Sequence, residues 1–224
     1  MISERNTHLR ILYREHIMVT NQFFYNHLFV DECKITSGHH GKFQWYRVNQ
    51  FNPKRKRVAH YSGFSIYGGI SRRGPTSFLI IPGNARINSE IYCDMIGHCV
   101  YPFIRDVYAM NCNLIQDNAS IHVSHYTREF MDHLGIRRSF FPAQSPDFNP
   151  IEYVWRGMKE YVSQKNPTDL EQLQLRIAEY VRKYVTVEFC NQLIDYSRRN
   201  IIRSVDGRNY EGTKPTNLLY RDIR

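Results

Sequence analysis

Three acidic residues stand where acids are unusual. Asp31 lies inside the apolar run Leu28-Phe29-Val30-Asp31-Glu32-Cys33-Lys34-Ile35, Asp117 ends the short apolar run that starts at Asn113, and Glu152 opens a helical stretch after Ser145-Pro146-Asp147-Phe148-Asn149-Pro150. Strand ends in α/β sheets are where sites form. Carboxylates gathered at one point repel by ~1 to 4 kcal/mol per pair at about 4 Å, so convergence calls for protons or a divalent cation. An all-carboxylate donor set selects hard ions, Mg²⁺ or Mn²⁺. Two of them about 3.5 to 4 Å apart suit phosphodiester chemistry by activating a nucleophile and steadying a leaving oxygen.

Each acid also has a local role open to it. Asn149-x-x-Glu152 with Pro150 at the first helical position is a capping arrangement, and Asp117-Asn118 suits a strand-ending turn. Glu32 competes with Asp31 as a ligand, because strand alternation sends the two to opposite faces without saying which face meets the other acids. His122, near a helix start, is placed to touch a phosphate, to support a metal shell or to cap and pack. His39-His40 reads as a loop pair without a third soft ligand, and Asp147 as a loop cap.

The positioning elements follow from periodicity. A lead-in helix is expected from Thr7 to about Phe24, then a strand from Leu28 to Ile35, and further strands over Phe43–Val48, Val58–Ile70 and Phe78–Pro82. Ile87 to Phe103 has helical spacing with a break near Pro102. A strand from Asn113 to Asp117 precedes a helix ending at Gly135 and a strand from Ile136 to Phe141. Three amphipathic helices close the chain, the middle one opened by a Thr168-x-x-Glu171 capping box. The order predicts one α/β domain with a mixed central sheet flanked by helices: a helical lead-in over residues 1–26, a core over 27–165, and C-terminal helices with a polar tail over 166–224.

The chain has 224 residues and a formal charge of +9. Its cations cluster at Lys54-Arg55-Lys56-Arg57, Arg72-Arg73, Arg137-Arg138 and Arg198-Arg199, which favours polyanionic partners. The Lys54–Arg57 run suits a solvated loop, a phosphate clamp or a nuclear-import signal. Five cysteines without a CxxC pair indicate neither a disulfide framework nor a zinc site, and no apolar run is long enough to span a membrane. A soluble intracellular protein is expected. Trp155, Trp45 and the tyrosines are assigned to the core before any base-stacking platform.

Gln116-Asp117-Asn118-Ala119 with His122, and Ser145-Pro146-Asp147-Phe148-Asn149-Pro150-Ile151-Glu152 with Trp155, resemble the catalytic domain of the Tc/mariner-type DNA transposases. Thirty-four residues separate Asp117 from Glu152, the spacing of the Tc branch. Phe29-Val30-Asp31-Glu32 resembles the family's first-aspartate motif and Gly68-Gly69-Ile70-Ser71 its glycine-rich strand. The resemblance implies a ribonuclease H-like fold with a catalytic triad of Asp31, Asp117 and Glu152. Asp31 would bridge two Mg²⁺ or Mn²⁺ ions, and each of the other two would complete one site. It also implies hydrolysis followed by attack of the freed 3′-hydroxyl on target DNA, action in the nucleus on double-stranded DNA, and a homodimer. Lys54, Arg55, Lys56, Arg57, Arg72, Arg73 and His122 are the candidate DNA contacts. The family's N-terminal helix-turn-helix pair is expected to be missing ahead of Asp31, which leaves a silent or domesticated DNA-binding protein as the rival function and a cellular ribonuclease H-like nuclease as a third.

Overall fold

A computed structural model of the protein describes residues 2–36 and 63–204. The expected strand at Phe43–Val48, the Lys54–Arg57 run, Trp45, His39-His40 and most of the C-terminal tail lie outside them. Among the described residues the sheet has six strands: β1 (His27–Thr36), β2 (Gly63–Ser71), β3 (Gly74–Pro75), β4 (Leu79–Pro82), β5 (Asn113–Ile115) and β6 (Arg137–Arg138). The order is β3-β2-β1-β5-β6, with β4 also pairing β2. β2 runs antiparallel to β1, β3 and β4, whereas β1, β5 and β6 are mutually parallel neighbours.

β1 is central because its first residues are apolar on both faces: Leu28, Phe29 and Val30 are each at most 1% exposed. Phe29, Cys33 and Ile35 join one core with β2 residues Ile66 and Ile70, together with α1 (Glu4–Val19), α5 (Ile151–Lys165), α6 (Leu170–Tyr184) and α7 (Val187–Arg203). Leu28 and Val30 point the other way. They join Tyr67 and Leu114 against α2 (Ser89–Met95), α3 (Tyr101–Tyr108) and α4 (His125–His133). The result is a three-layer α/β/α sandwich in which alternation along β1 assigns each side chain to a layer.

Several boundaries differ from the sequence expectation. α1 is capped by Ser3, whose Oγ accepts from Asn6 N, and it stops at Val19 rather than near Phe24 because Asn21 and Phe24 take left-handed φ values of 47° and 62°. The break before Pro102 is a π-helical turn over Ile96–Val100, which lets Pro102 sit at the start of α3, where its missing N–H costs nothing. Gly135, with φ 69°, ends α4 as expected. Gly135 N donates to Asp132 O and Ile136 N to Met131 O. β6 shrinks to Arg137–Arg138, two exposed arginines that guard the sheet edge. The cap of α6 is Asp169 rather than Thr168, since the Asp169 carboxylate accepts from Gln172 N at 2.8 Å and Gln172 reaches back to Thr168 N.

Candidate active site

Alternation along β1 separates the two neighbouring acids. Asp31 projects into the layer of α5, where the buried indole of Trp155 donates Nε1–H to Asp31 Oδ2 at 3.2 Å. Glu152, on the first turn of the same helix, is near enough for its charge to act on Asp31. Burial first, then the neighbouring Glu152 and Glu32 carboxylates, push the Asp31 carboxyl up to about 7. Burial raises Glu152 as well, opposed by Lys159 farther along α5.

Glu32 projects to the opposite layer and meets His122. The imidazole is 4% exposed, stacks on Tyr92 at 4.2 Å, and reaches Glu32 Oε1 with Nε2 at 3.1 Å and Asp117 Oδ1 with Nδ1 at 2.5 Å. Burial alone would lower its basicity, but the bonds to Asp117 and Glu32 outweigh it and hold His122 at about 9. In return the His122 bond keeps Asp117 below the usual carboxylate range, aided by Ala119 N donating to Oδ1 at 2.9 Å. His122 is fixed further by Tyr92 OH donating to Gln116 Oε1 and Gln116 Nε2 donating to the His122 carbonyl. Glu32, Tyr92 and Gln116 thus hold His122, and through it the Asp117 carboxylate. Sequence offered no signal for Tyr92, which sits among ordinary apolar residues of α2.

The glycine-rich stretch of β2 has a packing reason. Gly68 pairs across from Asp31, and a Cβ there would meet the Phe78 ring at 2.7–3.0 Å. Phe78 in turn stands edge-on to Trp155 at 5.6 Å. The bare backbone at Gly68 lets Phe78 fill the space beside the indole that holds Asp31.

The Asn149-x-x-Glu152 cap takes a different form: Pro150 occupies the cap position, and Asn149 Oδ1 accepts from Ile151 N at 3.4 Å. Asp147 is no loop cap, because it forms a two-pronged ion pair with Arg10 of α1. Three candidate DNA contacts also have internal roles. Arg72 is tied to Asp195, Asn191 and the Phe23 carbonyl, and Arg73 bonds the Val107 carbonyl and lies over the Tyr108 ring. His122 is buried with both nitrogens engaged, so it orients Asp117 rather than offering itself to a phosphate.

The residues present fit hard divalent cations. Asp31, Glu32, Asp117 and Glu152 supply only oxygen donors, and burial together with the neighbouring carboxylates disfavours the charged form of Asp31, a cost that a cation relieves. Among the described residues no group of three His, Cys, Asp or Glu side chains is arranged to hold a metal ion, and Asp117 Oδ1 is bound to His122 and Ala119.

The sheet order, its three parallel strands and the carboxylates carried on β1, after β5 and on α5 define a ribonuclease H-like fold. A family model for the DDE superfamily endonuclease matches residues 26–174, and the chain belongs to that family. Among curated relatives, the transposable element Tcb2 transposase of Caenorhabditis briggsae is 26% identical over 168 residues, 72% of this chain and 61% of that protein. The Tc3 transposase of Caenorhabditis elegans is 33% identical over 85 residues, 38% of this chain and 26% of that protein. The chain therefore spans about three fifths of the first of these relatives and a quarter of the second is matched. The solved catalytic domain of Mos1 mariner transposase superposes with a TM-score of 0.70 at 15% identity, covering 93% of this chain and 95% of that one. The mariner Mos1 paired end complex with Mg gives 0.76 at 17% identity, covering 94% and 65%.

Proposed function

We propose that this chain is a divalent-metal-dependent DNA endonuclease and strand-transferase, the catalytic unit of a cut-and-paste transposase. The observation that carries the reading is the meeting of Asp31 and Glu152 between β1 and the first turn of α5, with Asp117 following the parallel neighbour β5. Asp31, Asp117 and Glu152 would hold two Mg²⁺ or Mn²⁺ ions. When bound, these supply charge stabilisation for an in-line displacement at phosphorus and lower the pKa of the attacking water or hydroxyl. Solved relatives in complex with transposon ends, Mg and Mn support the same assignment of substrate and cofactor.

The protein's own groups prepare the carboxylates. Trp155 fixes one oxygen of Asp31, His122 and Ala119 N fix Oδ1 of Asp117, and Lys159 places a cation beside Glu152. Hydrolysis adds water across a phosphodiester and leaves a 3′-hydroxyl. Strand transfer uses that hydroxyl as nucleophile on a second phosphodiester, whose own 3′-oxygen departs, so the same carboxylates serve both steps. Double-stranded DNA in the nucleus is the partner, and a homodimer would bring two ends together.

The test is nicking and joining of DNA by the purified protein with Mg²⁺ or Mn²⁺. The wild type should act and Asp117→Ala and Glu152→Ala should lose activity by about 10²- to 10³-fold, the scale on which removing one charge-stabilising group acts. Equal activity in all three, or none in any, contradicts the reading.

A further inference from the structure

Helix α1 lies outside the matched residues 26–174, yet one of its side chains reaches the loop that delivers Glu152. Arg10 is 0% exposed, and its guanidinium donates to Asp147 Oδ1 at 2.8 Å and Oδ2 at 2.5 Å while lying 3.9 Å from the centre of the Phe148 ring. A charge buried this completely is kept only where its partner is held in good geometry. Asn6 adds a bond from the same helix to Gln144, whose φ of 53° bends the loop through the left-handed region.

The loop is anchored on two further sides. Ser197 of α7 donates to the Phe148 carbonyl at 2.6 Å, and Asn149 Nδ2 lies 3.5 Å from the carbonyl of Val30, the residue before Asp31. From Asp147 the chain runs through tight turns without slack: Asn149 N bonds Pro146 O, and Glu152 N bonds Asn149 O at 3.2 Å. A shift of Asp147 is therefore passed to the first turn of α5.

We infer that Arg10, acting through Asp147, is a positioning residue that sets the Glu152 carboxylate against Asp31, so that α1 is part of the catalytic unit. This rests on the assignment of Glu152 as a metal-binding group. It differs from a plain structural role in that it predicts loss of metal affinity beyond what lost stability explains.

The experiment compares the full chain with Arg10→Gln, Arg10→Lys and Asp147→Asn, and with Leu173→Ala, a core truncation in α6 that removes none of the Arg10–Asp147 bonds. Mn²⁺ affinity and melting temperature are measured for each, the affinity at a temperature where every protein is folded by circular dichroism. Arg10→Gln and Asp147→Asn should bind Mn²⁺ about 10- to 100-fold more weakly, the usual effect of losing a group that orients a ligand. Arg10→Lys, which keeps the charge without the fork, should fall between them and wild type. Leu173→Ala should lose stability and keep wild-type affinity. Wild-type affinity in the Arg10 and Asp147 variants overturns the inference alone. A wild-type protein that binds no Mn²⁺ overturns the metal assignment and this inference with it.

Discussion

Replacing Asp31 with Asn should stabilise the metal-free protein in alkaline solution. The Asp31 carboxyl is held at about 7 against an ordinary 3.8. Between those values the folded state keeps a proton that the unfolded chain has released, so folding stability falls as pH rises through the window. Once both states are ionised the cost is about 4 kcal/mol, at about 1.4 kcal/mol per tenfold difference in proton affinity. At about pH 5 the same relation gives under about 2 kcal/mol. An amide at position 31 can still accept from Trp155 Nε1 but gives up the charge assistance of that bond, about 1 kcal/mol. Asp31→Asn should therefore gain about 3 kcal/mol near pH 8 and about 1 kcal/mol or less near pH 5, and for a chain of this length the alkaline gain raises the melting temperature by about 6 to 12 °C. The assay is thermal or urea unfolding of chelator-treated protein at both pH values. A variant no more stable than wild type near pH 8, or one whose gain is the same at both, refutes the reading of Asp31 as a carboxyl whose charged form is disfavoured by burial and by its acidic neighbours.

Three further outcomes follow from other parts of the molecule. Burial, with His16 nearby, lowers His27 to about 4 from 6.5, so it folds neutral; its stabilising contribution is present above the unfolded value and is lost as pH falls toward 4. The protein should lose about 2 kcal/mol between about pH 7 and about pH 5 from this group, a loss that His27→Gln removes in urea titrations at the two pH values. Gly68→Ala drives a methyl into Phe78 and through it against Trp155, and it should cost about 1 to 3 kcal/mol by chemical denaturation and quench or shift the Trp155 emission. His122→Asn cannot bridge Glu32 and Asp117 together, and Mn²⁺ titration should show about 10- to 100-fold weaker binding with unchanged circular dichroism.

The layered fold was legible because hydrophobic period and glycine–proline punctuation are local signals. The run at β1, the broken helix before Pro102 and the αL glycine at 135 all stand where pattern placed them. Ends fixed by tertiary contacts were less legible: α1 stops short of Phe24 because Phe24 is drawn onto Phe29 and His27, and β6 shortens as Phe140 and Phe141 leave the edge. At the site, periodicity separates Asp31 from Glu32 but assigns neither to a layer. That assignment follows from where α5 and α4 cross the sheet, which is long-range information. Long-range pairing also explains why the internal bonds of Asp147, Arg72 and Arg73 are not legible in the sequence: their partners Arg10, Asp195 and Val107 lie far away along the chain. The basic excess is accordingly turned partly inward, with Arg198 likewise bonded to Gln22 and Asn21.

The proposed function requires that Asp31, Asp117 and Glu152 together hold two divalent cations. Counting bound Mn²⁺ by electron paramagnetic resonance during titration of the metal-free protein tests it most directly. Two ions are expected on the wild type, about one on Asp117→Ala or Glu152→Ala, and neither on Asp31→Ala. Binding that Asp31→Ala leaves intact, or a wild type that takes up no Mn²⁺, would contradict it.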